Sequence, residues 1–338
     1  MSARQAFFLV LACLLLGSGP ALAQILRVGP GQDLKLPSQA ARLAGNDDIV
    51  EIEAGDYHGD VAVWRADGLV LRGVGGMARL FAAGAAAQGK GIWVIRGRNT
   101  TVEHIAFHDA RVPDRNGAGI RFEGSNLTVR HCLFQGNENG ILTGGGAQSE
   151  ILVENSEFTG NGHGDGYSHN IYIGAVARFT LRDSISRLAL VGHQVKSRAR
   201  ENYILNNDIA DEASGRSSYL VDLPSGGIGV LRNNRLHQGP RAENGTMLAY
   251  AAEKLPYPEN RLLVEGNVFR NDRANGCRLL FVRPGVEAAQ VRNNQFIGCA
   301  RMDGPIRDMG NTVLPNTDLP MTQPGGGQTT DRPPAGKP

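Results

Sequence analysis

The stretches TVEHIAF (Thr101 to Phe107), TVRHCLF (Thr128 to Phe134) and LVENSEF (Leu152 to Phe158) decide the fold. Each places an apolar residue five positions before an aromatic one. The pattern returns in YILNNDI (Tyr203 to Ile209), VLRNNRL (Val230 to Leu236), LVEGNVF (Leu263 to Phe269) and QVRNNQF (Gln290 to Phe296), with TLRDSIS (Thr180 to Ser186) as a weaker copy. The anchors are Val102, Val129, Val153, Leu181, Ile204, Leu231, Val264 and Val291, spaced from the low twenties to the low thirties of residues. That is the period of a solenoid, whose units bury their apolar faces only by stacking.

The units are too short and too rich in Gly and Asn for helix pairs, and apolar residues alternate at strand period in Ile171-Tyr172-Ile173 and Leu280-Phe281-Val282. An all-β coil of short parallel strands follows. The Asn residues between anchors (Asn155, Asn206, Asn207, Asn233, Asn234, Asn267, Asn293, Asn294) tolerate left-handed backbone angles, and stacked amides can bond from coil to coil. On Asn155-x-x-Phe158-x-x-Asn161 and Phe134-Gln-Gly-Asn137-Glu-Asn-Gly140-Ile141, the sequence resembles the right-handed parallel β-helix, pectate-lyase-like superfamily over about Asp47 to Asn311. The resemblance implies a single right-handed β-helix. It leaves function open, because the superfamily holds lyases, hydrolases, epimerases and non-catalytic proteins.

The ends read differently. MSARQAFFLVLACLLLGSGPALA has a cation at Arg4, an apolar run and the small-residue site Ala21-Leu22-Ala23, so residues 1–23 read as a signal peptide and the protein as exported, periplasmic or extracellular. No later segment has the roughly 18 consecutive apolar residues of a membrane span. The Pro- and Gly-rich residues 315–338 read as a disordered tail, leaving 24–314 for the β-helix, expected to be a monomer. Leu36 to Gly45, with Ser38 as N-cap, reads as a short helix closing the N-terminal end of the coil. The net charge of +2 provides no global field for nucleic acid. Cys277 and Cys299 are about one coil apart and each precedes an apolar strand, which predicts a disulfide; Cys132, inside an anchor unit, reads as a core residue.

The functional signal lies in GHQVKSRARENYILNND, Gly192 to Asp208, where Lys196, Arg198 and Arg200 alternate on one strand face. If Ile171, Ile173 and Val195 point inward, Tyr172, Gln194, Lys196 and Arg198 point outward. In SSYLVDLP (Ser217 to Pro224), Tyr219, Val221 and Leu223 inward would leave Asp222 outward and expose Leu220. One coil later comes Tyr250. The expected outward column is Tyr172, Lys196, Asp222 and Tyr250, bordered by Arg198, His169 and Glu253. Cations there suit the carboxylates of an acidic polysaccharide, and aromatic faces suit sugar rings. A cation on a strand face also serves simple solubility, so the alignment across coils carries the functional reading.

The Gly-rich loop NGHGDGYSHN, Asn161 to Asn170, adds His163, Asp165, Tyr167 and His169, in a spacing that matches no metal signature. DGYSHNIYIG followed by VKSRARENYILNN is similar to the bacterial mannuronan C5-epimerases, in which an Asp- and His-containing loop precedes a coil bearing an arginine. The resemblance matches Asp165, His169 and Arg198 to epimerase positions. It departs where the epimerase loop reads D-P-H-D and here Asp165 is followed by Gly-Tyr-Ser-His. Lyases and epimerases both remove the uronate C5 proton, which needs a cation on the carboxylate and a base. Lys196 or Arg198 supplies the first, and His169, Lys196 or Tyr172 the second. Asp165, Tyr167, Gln194, Asp222, Tyr250 and Glu253 are the expected substrate contacts. A non-catalytic polysaccharide binder is the alternative. A hydrolase ranks third, since of Asp222, Glu253, Asp211 and Glu212 only Asp222 falls in the column. No cofactor is expected; a Ca²⁺ requirement stays open as an alternative that no convergent carboxylate cluster in the sequence indicates.

Overall fold

The computed structural model describes residues 23–316, so nearly all of the segments expected to be a signal peptide (1–23) and a tail (315–338) lie outside the described residues. Within them the chain winds as a coil of short parallel strands with three faces. A 10-stranded sheet forms one, here face III, from Ala62–Trp64 to Met302–Asp303. The other two belong to one 21-stranded sheet, because Ile49–His58 and Val70–Phe81 run round the corner between them. Face I carries the anchors and face II the aromatic residues that follow them. One coil therefore runs Ile171–Ile173 on III, Val176–Arg182 on I and Ile185–Arg187 on II, then returns to III at Val195–Ser197.

The repeat is legible in the register. Val102, Val129, Val153, Leu181, Ile204, Leu231, Val264 and Val291 pair in that order, coil to coil. All eight are at most 1% exposed, as a core built by stacking requires. On face II the rings of Phe107, Phe134 and Phe158 stack at 5.0 and 4.6 Å between centroids.

The Asn pairs divide their work. The first member is left-handed, with φ of 58° at Asn206, 57° at Asn233 and 56° at Asn293. The second is buried and bonds to its counterpart one coil on, from Asn207 through Asn234, Asn267 and Asn294 to Asn311. Each amide also donates to a backbone carbonyl of the preceding coil, so a corner that would strand polar groups is satisfied.

The helix Pro37–Leu43 packs the buried Ala40 against the first coils. Its N-cap is Leu36, which corrects the assignment of Ser38. Ser38 lies in the first turn, and its N–H donates to Asp60 at 2.9 Å, so the packed coil satisfies a donor that a capping side chain would otherwise meet. Cys277 and Cys299 form a disulfide with Cα atoms 6.0 Å apart, and Cys132 is a buried free thiol, pushed up to about 12 by burial. No helix among the described residues is long and apolar enough to cross a membrane.

Candidate functional site

Face III supplies the floor of the site. Parallel pairing sets Ile171 beside Val195 and Val221, all buried, so the intervening Tyr172, Lys196 and Asp222 fall in one outward column. The column then changes character. Asp222 pairs with Ala249, and Tyr250 pairs with Leu223 and Val282. Tyr250 is 0% exposed and its hydroxyl donates to the Gly227 carbonyl at 2.5 Å, which corrects its expected outward placement. The slip is one residue, and one residue reverses a strand's faces.

Gln194 is also corrected. It is fully buried at the strand's entry, where its amide accepts from Asn170 at 2.7 Å and donates to Asp211 at 2.9 Å. Simple alternation fails there because the chain is still turning the corner into the strand. The same turn buries Leu220, expected exposed, and leaves Tyr219, expected inward, half-buried.

Charges converge above the floor. Lys196 Nζ lies 3.3 Å from Asp222 Oδ2 and 3.6 Å from Glu253 Oε1. Arg198 Nη2 lies 2.8 Å from Glu253 Oε2, and its Nε donates to the Tyr172 hydroxyl oxygen at 3.0 Å. The two cations and two carboxylates cancel. Arg200, the third cation of the row, instead meets Glu201 at 3.4 Å. The segment after Thr246–Tyr250 braces the cluster, since the Tyr257 hydroxyl donates to the Arg198 carbonyl at 2.6 Å and Arg283 donates to the Glu253 carbonyl.

The imidazoles form the inner wall. The His169 ring stacks on Tyr172 at 5.6 Å and on His193 at 4.6 Å, and His193 meets Tyr219 edge-on at 4.9 Å. His193 Nε2 is 3.4 Å from Asp222 Oδ2. Burial drives both imidazoles toward the neutral form. His169 falls well below its ordinary value, with His193, Lys196 and Arg198 adding to the effect; His193 falls against the opposing pull of Asp222.

His193 was missed in the sequence although a signal existed. His169 and His193 each stand two residues before paired positions, Ile171 and Val195, so the strand register aligns them. Gly192 permits their approach, because a Cβ there would meet the Ser168 carbonyl oxygen at 1.7 Å.

Of the expected residues, the structure brings together His169, Tyr172, Lys196, Arg198, Asp222 and Glu253. It does not join Asp165 or Tyr167 to them. Asp165 accepts the Tyr167 N–H at 3.1 Å within its own loop, and the Tyr167 side chain stands 87% exposed. His163 instead reaches Glu138 at 3.3 Å. Among the described residues no group of three or more His, Cys, Asp or Glu side chains is placed to hold a metal ion.

Comparison with known proteins gives the fold independently. A family described as a right handed beta helix region matches residues 81–209. No curated protein matches the sequence. Among solved structures, ORF18 of Geobacillus virus E2 aligns at a TM-score of 0.54 and 12% identity over 79% of this chain and 53% of its own, so the chain spans about half its length. An alginate lyase from Paenibacillus sp. str. FPU-7 aligns at a TM-score of 0.51 and 12% identity over 86% of this chain and 99% of its own. At such identity the likeness is one of fold, and the fold is the right-handed parallel β-helix.

Proposed function

We propose that the protein acts on an acidic, uronate-containing polysaccharide outside the cytoplasm, as a lyase or C5-epimerase. The carrying observation is the convergence of Lys196 and Arg198 with Tyr172 and the stacked imidazoles of His169 and His193 across three successive coils. Removing a C5 proton places negative charge on the adjacent carboxylate, and fixed cations at that point stabilise it most where water is excluded. Lys196 and Arg198 meet that need, and His169, Lys196 and Tyr172 are the groups able to handle the proton. A solved structure of similar fold is an alginate lyase, which fits the same chemistry. Hydrolysis fits less well, because Asp222 and Glu253 are both engaged by Lys196, whereas hydrolysis needs one free carboxylate on each side of the glycosidic bond.

The incoming carboxylate has an identifiable place. The Glu253 side chain is 45% exposed while that of Asp222 is 5% exposed, so Glu253 is the carboxylate a substrate can displace from Arg198. The test is to incubate the mature protein with a panel of uronate polymers, following ultraviolet absorbance of an unsaturated product and proton exchange at C5. Arg198→Lys keeps the charge but loses the planar fork, and is expected to impair the reaction more than Arg200→Lys. Salt-sensitive binding without either chemistry would establish the non-catalytic binder instead.

A further inference from the structure

The geometry decides between the candidate proton carriers, on the reading that the site performs C5 chemistry. The His193 backbone N–H donates to His169 Nδ1 at 3.0 Å. A nitrogen that accepts a hydrogen bond carries no proton, so the neutral ring holds its proton on Nε2. The arrangement is braced on every side. Gly192 lets the donor approach, the His193 ring stacks on His169, and Asp222 holds the His193 ring at 3.4 Å. Nε2 of His169 has no hydrogen-bond partner among the described residues and is not wholly enclosed, in a side chain that is otherwise buried. That proton is left for a bound group, and the ring could take a second one only at Nδ1, where the His193 N–H already donates, which would make it an imidazolium. Burial beside Lys196 and Arg198 opposes that cation.

We infer that His169 serves as a neutral hydrogen-bond donor to the substrate carboxylate, and that Tyr172 is the catalytic residue exchanging the C5 proton. Lys196 is excluded as the base because its ammonium is committed to Asp222 and Glu253. Tyr172 has the remaining suitable oxygen, held 3.0 Å from Arg198 Nε, and the guanidinium is the counter-ion that a phenolate there requires.

In the working state the phenolic proton has passed to solvent. Tyr172 Oη takes the proton from C5, and the C–H electron pair moves into the carboxylate to give an enediolate facing Lys196 and the His169 Nε2–H. In elimination, collapse forms the C4–C5 double bond, the C4–O4 bond breaks, and O4 takes the proton back from the Tyr172 hydroxyl. In epimerisation, C5 receives a solvent proton on the opposite face and Tyr172 returns its own to solvent. Both routes balance and restore the phenolate.

The test combines a spectrum with three variants. Nitrogen-15 correlation spectra of the full protein at neutral pH should show His169 protonated on Nε2. His169→Gln keeps an N–H near that position but has no basic nitrogen, so it should retain about a tenth or more of the wild-type kcat, while His169→Ala loses about 100-fold. Tyr172→Phe should lose about 1,000-fold or more with polymer binding unchanged. An imidazolium or an Nδ1–H tautomer at His169, or a His169→Gln variant as inactive as Tyr172→Phe, overturns the donor role; an active Tyr172→Phe overturns the base. A wild-type protein that binds uronate polymers without turnover would defeat the reading of the site and the Tyr172 assignment together, and the spectrum would still decide His169.

Discussion

Two corners of the coil are lined by buried amides, and they are built differently. Between faces I and II, Asn207, Asn234, Asn267, Asn294 and Asn311 repeat one residue in one geometry, each side chain 2.8–3.0 Å from the next. Between faces II and III the chain passes from Asn137 to Asn161, Asn170, Gln194 and finally Asp211, changing residue type and including two members of the same coil. The regular ladder holds coils together. The irregular one also holds imidazoles, because Asn170 directly follows His169 and Gln194 directly follows His193. The weak repeat unit has its explanation at this corner. Ser186 stands where neighbouring coils put Phe158 or Ile209, and its hydroxyl bonds to the Gln194 carbonyl at 3.0 Å and receives the Asn170 amide at 3.1 Å. A departure from the repeat thus marks the coil that braces the site.

The contrast is breakable by substitution. Asn267→Leu deprives the Asn234 backbone N–H of its acceptor, and Gln194→Leu removes the side-chain donor to Asp211. Both should lower stability in urea unfolding, by about 1–3 kcal/mol for each buried group left unpaired. Only Gln194→Leu should also change the His169 nitrogen spectrum. Equal spectral disturbance from Asn267→Leu would remove the distinction between the corners.

The ladder's C-terminal stretch has a covalent aid in Cys277–Cys299. Replacing both cysteines by Ala should cost about 2–4 kcal/mol of unfolding free energy, read as a shift in the denaturant midpoint. The regular ladder would have to hold those coils alone, and an unchanged midpoint would show that it does.

Acid should find the irregular corner first. His169 and His193 have folded values below the ordinary 6.5, so at lower pH the unfolded chain binds protons that the folded chain refuses. Stability therefore rises with pH through that range and is lost as pH falls below about 6.5, with a slope of up to about 1.4 kcal/mol per pH unit for each proton. His108, also lowered by burial, acts in the same direction; Asp211, raised by burial, acts oppositely from the carboxylate range upward. Urea midpoints across pH for the wild type and His193→Gln should give a shallower slope in the variant.

The smallest effect concerns Glu253. An exposed ion pair contributes about 0.2–1 kcal/mol, so Glu253→Gln should tighten binding of a uronate oligomer by about 1.4- to 5-fold through loss of the competing carboxylate. Weaker binding would make Glu253 a support for Arg198 and not its resting occupant.

Periodicity carried much of this. A solenoid of parallel strands, eight core anchors and the roles of the paired Asn residues were all readable, because stacking imposes the same burial on every coil and repeated burial leaves repeated residues. The column Tyr172, Lys196 and Asp222 was readable for the same reason: within a strand, alternate residues share a face. What only the tertiary structure decided lies where alternation stops. Gln194 and Leu220 sit on corners, and Tyr250 ends a strand, Thr246–Tyr250, in which all five residues are buried. Loops of unequal length separate the coils, and a one-residue difference in register turns an expected contact into a core residue. The tautomer of His169 is further still from the sequence. It depends on a backbone N–H arriving from the next coil past a glycine, a contact between residues 24 apart that exists only once the coils are stacked.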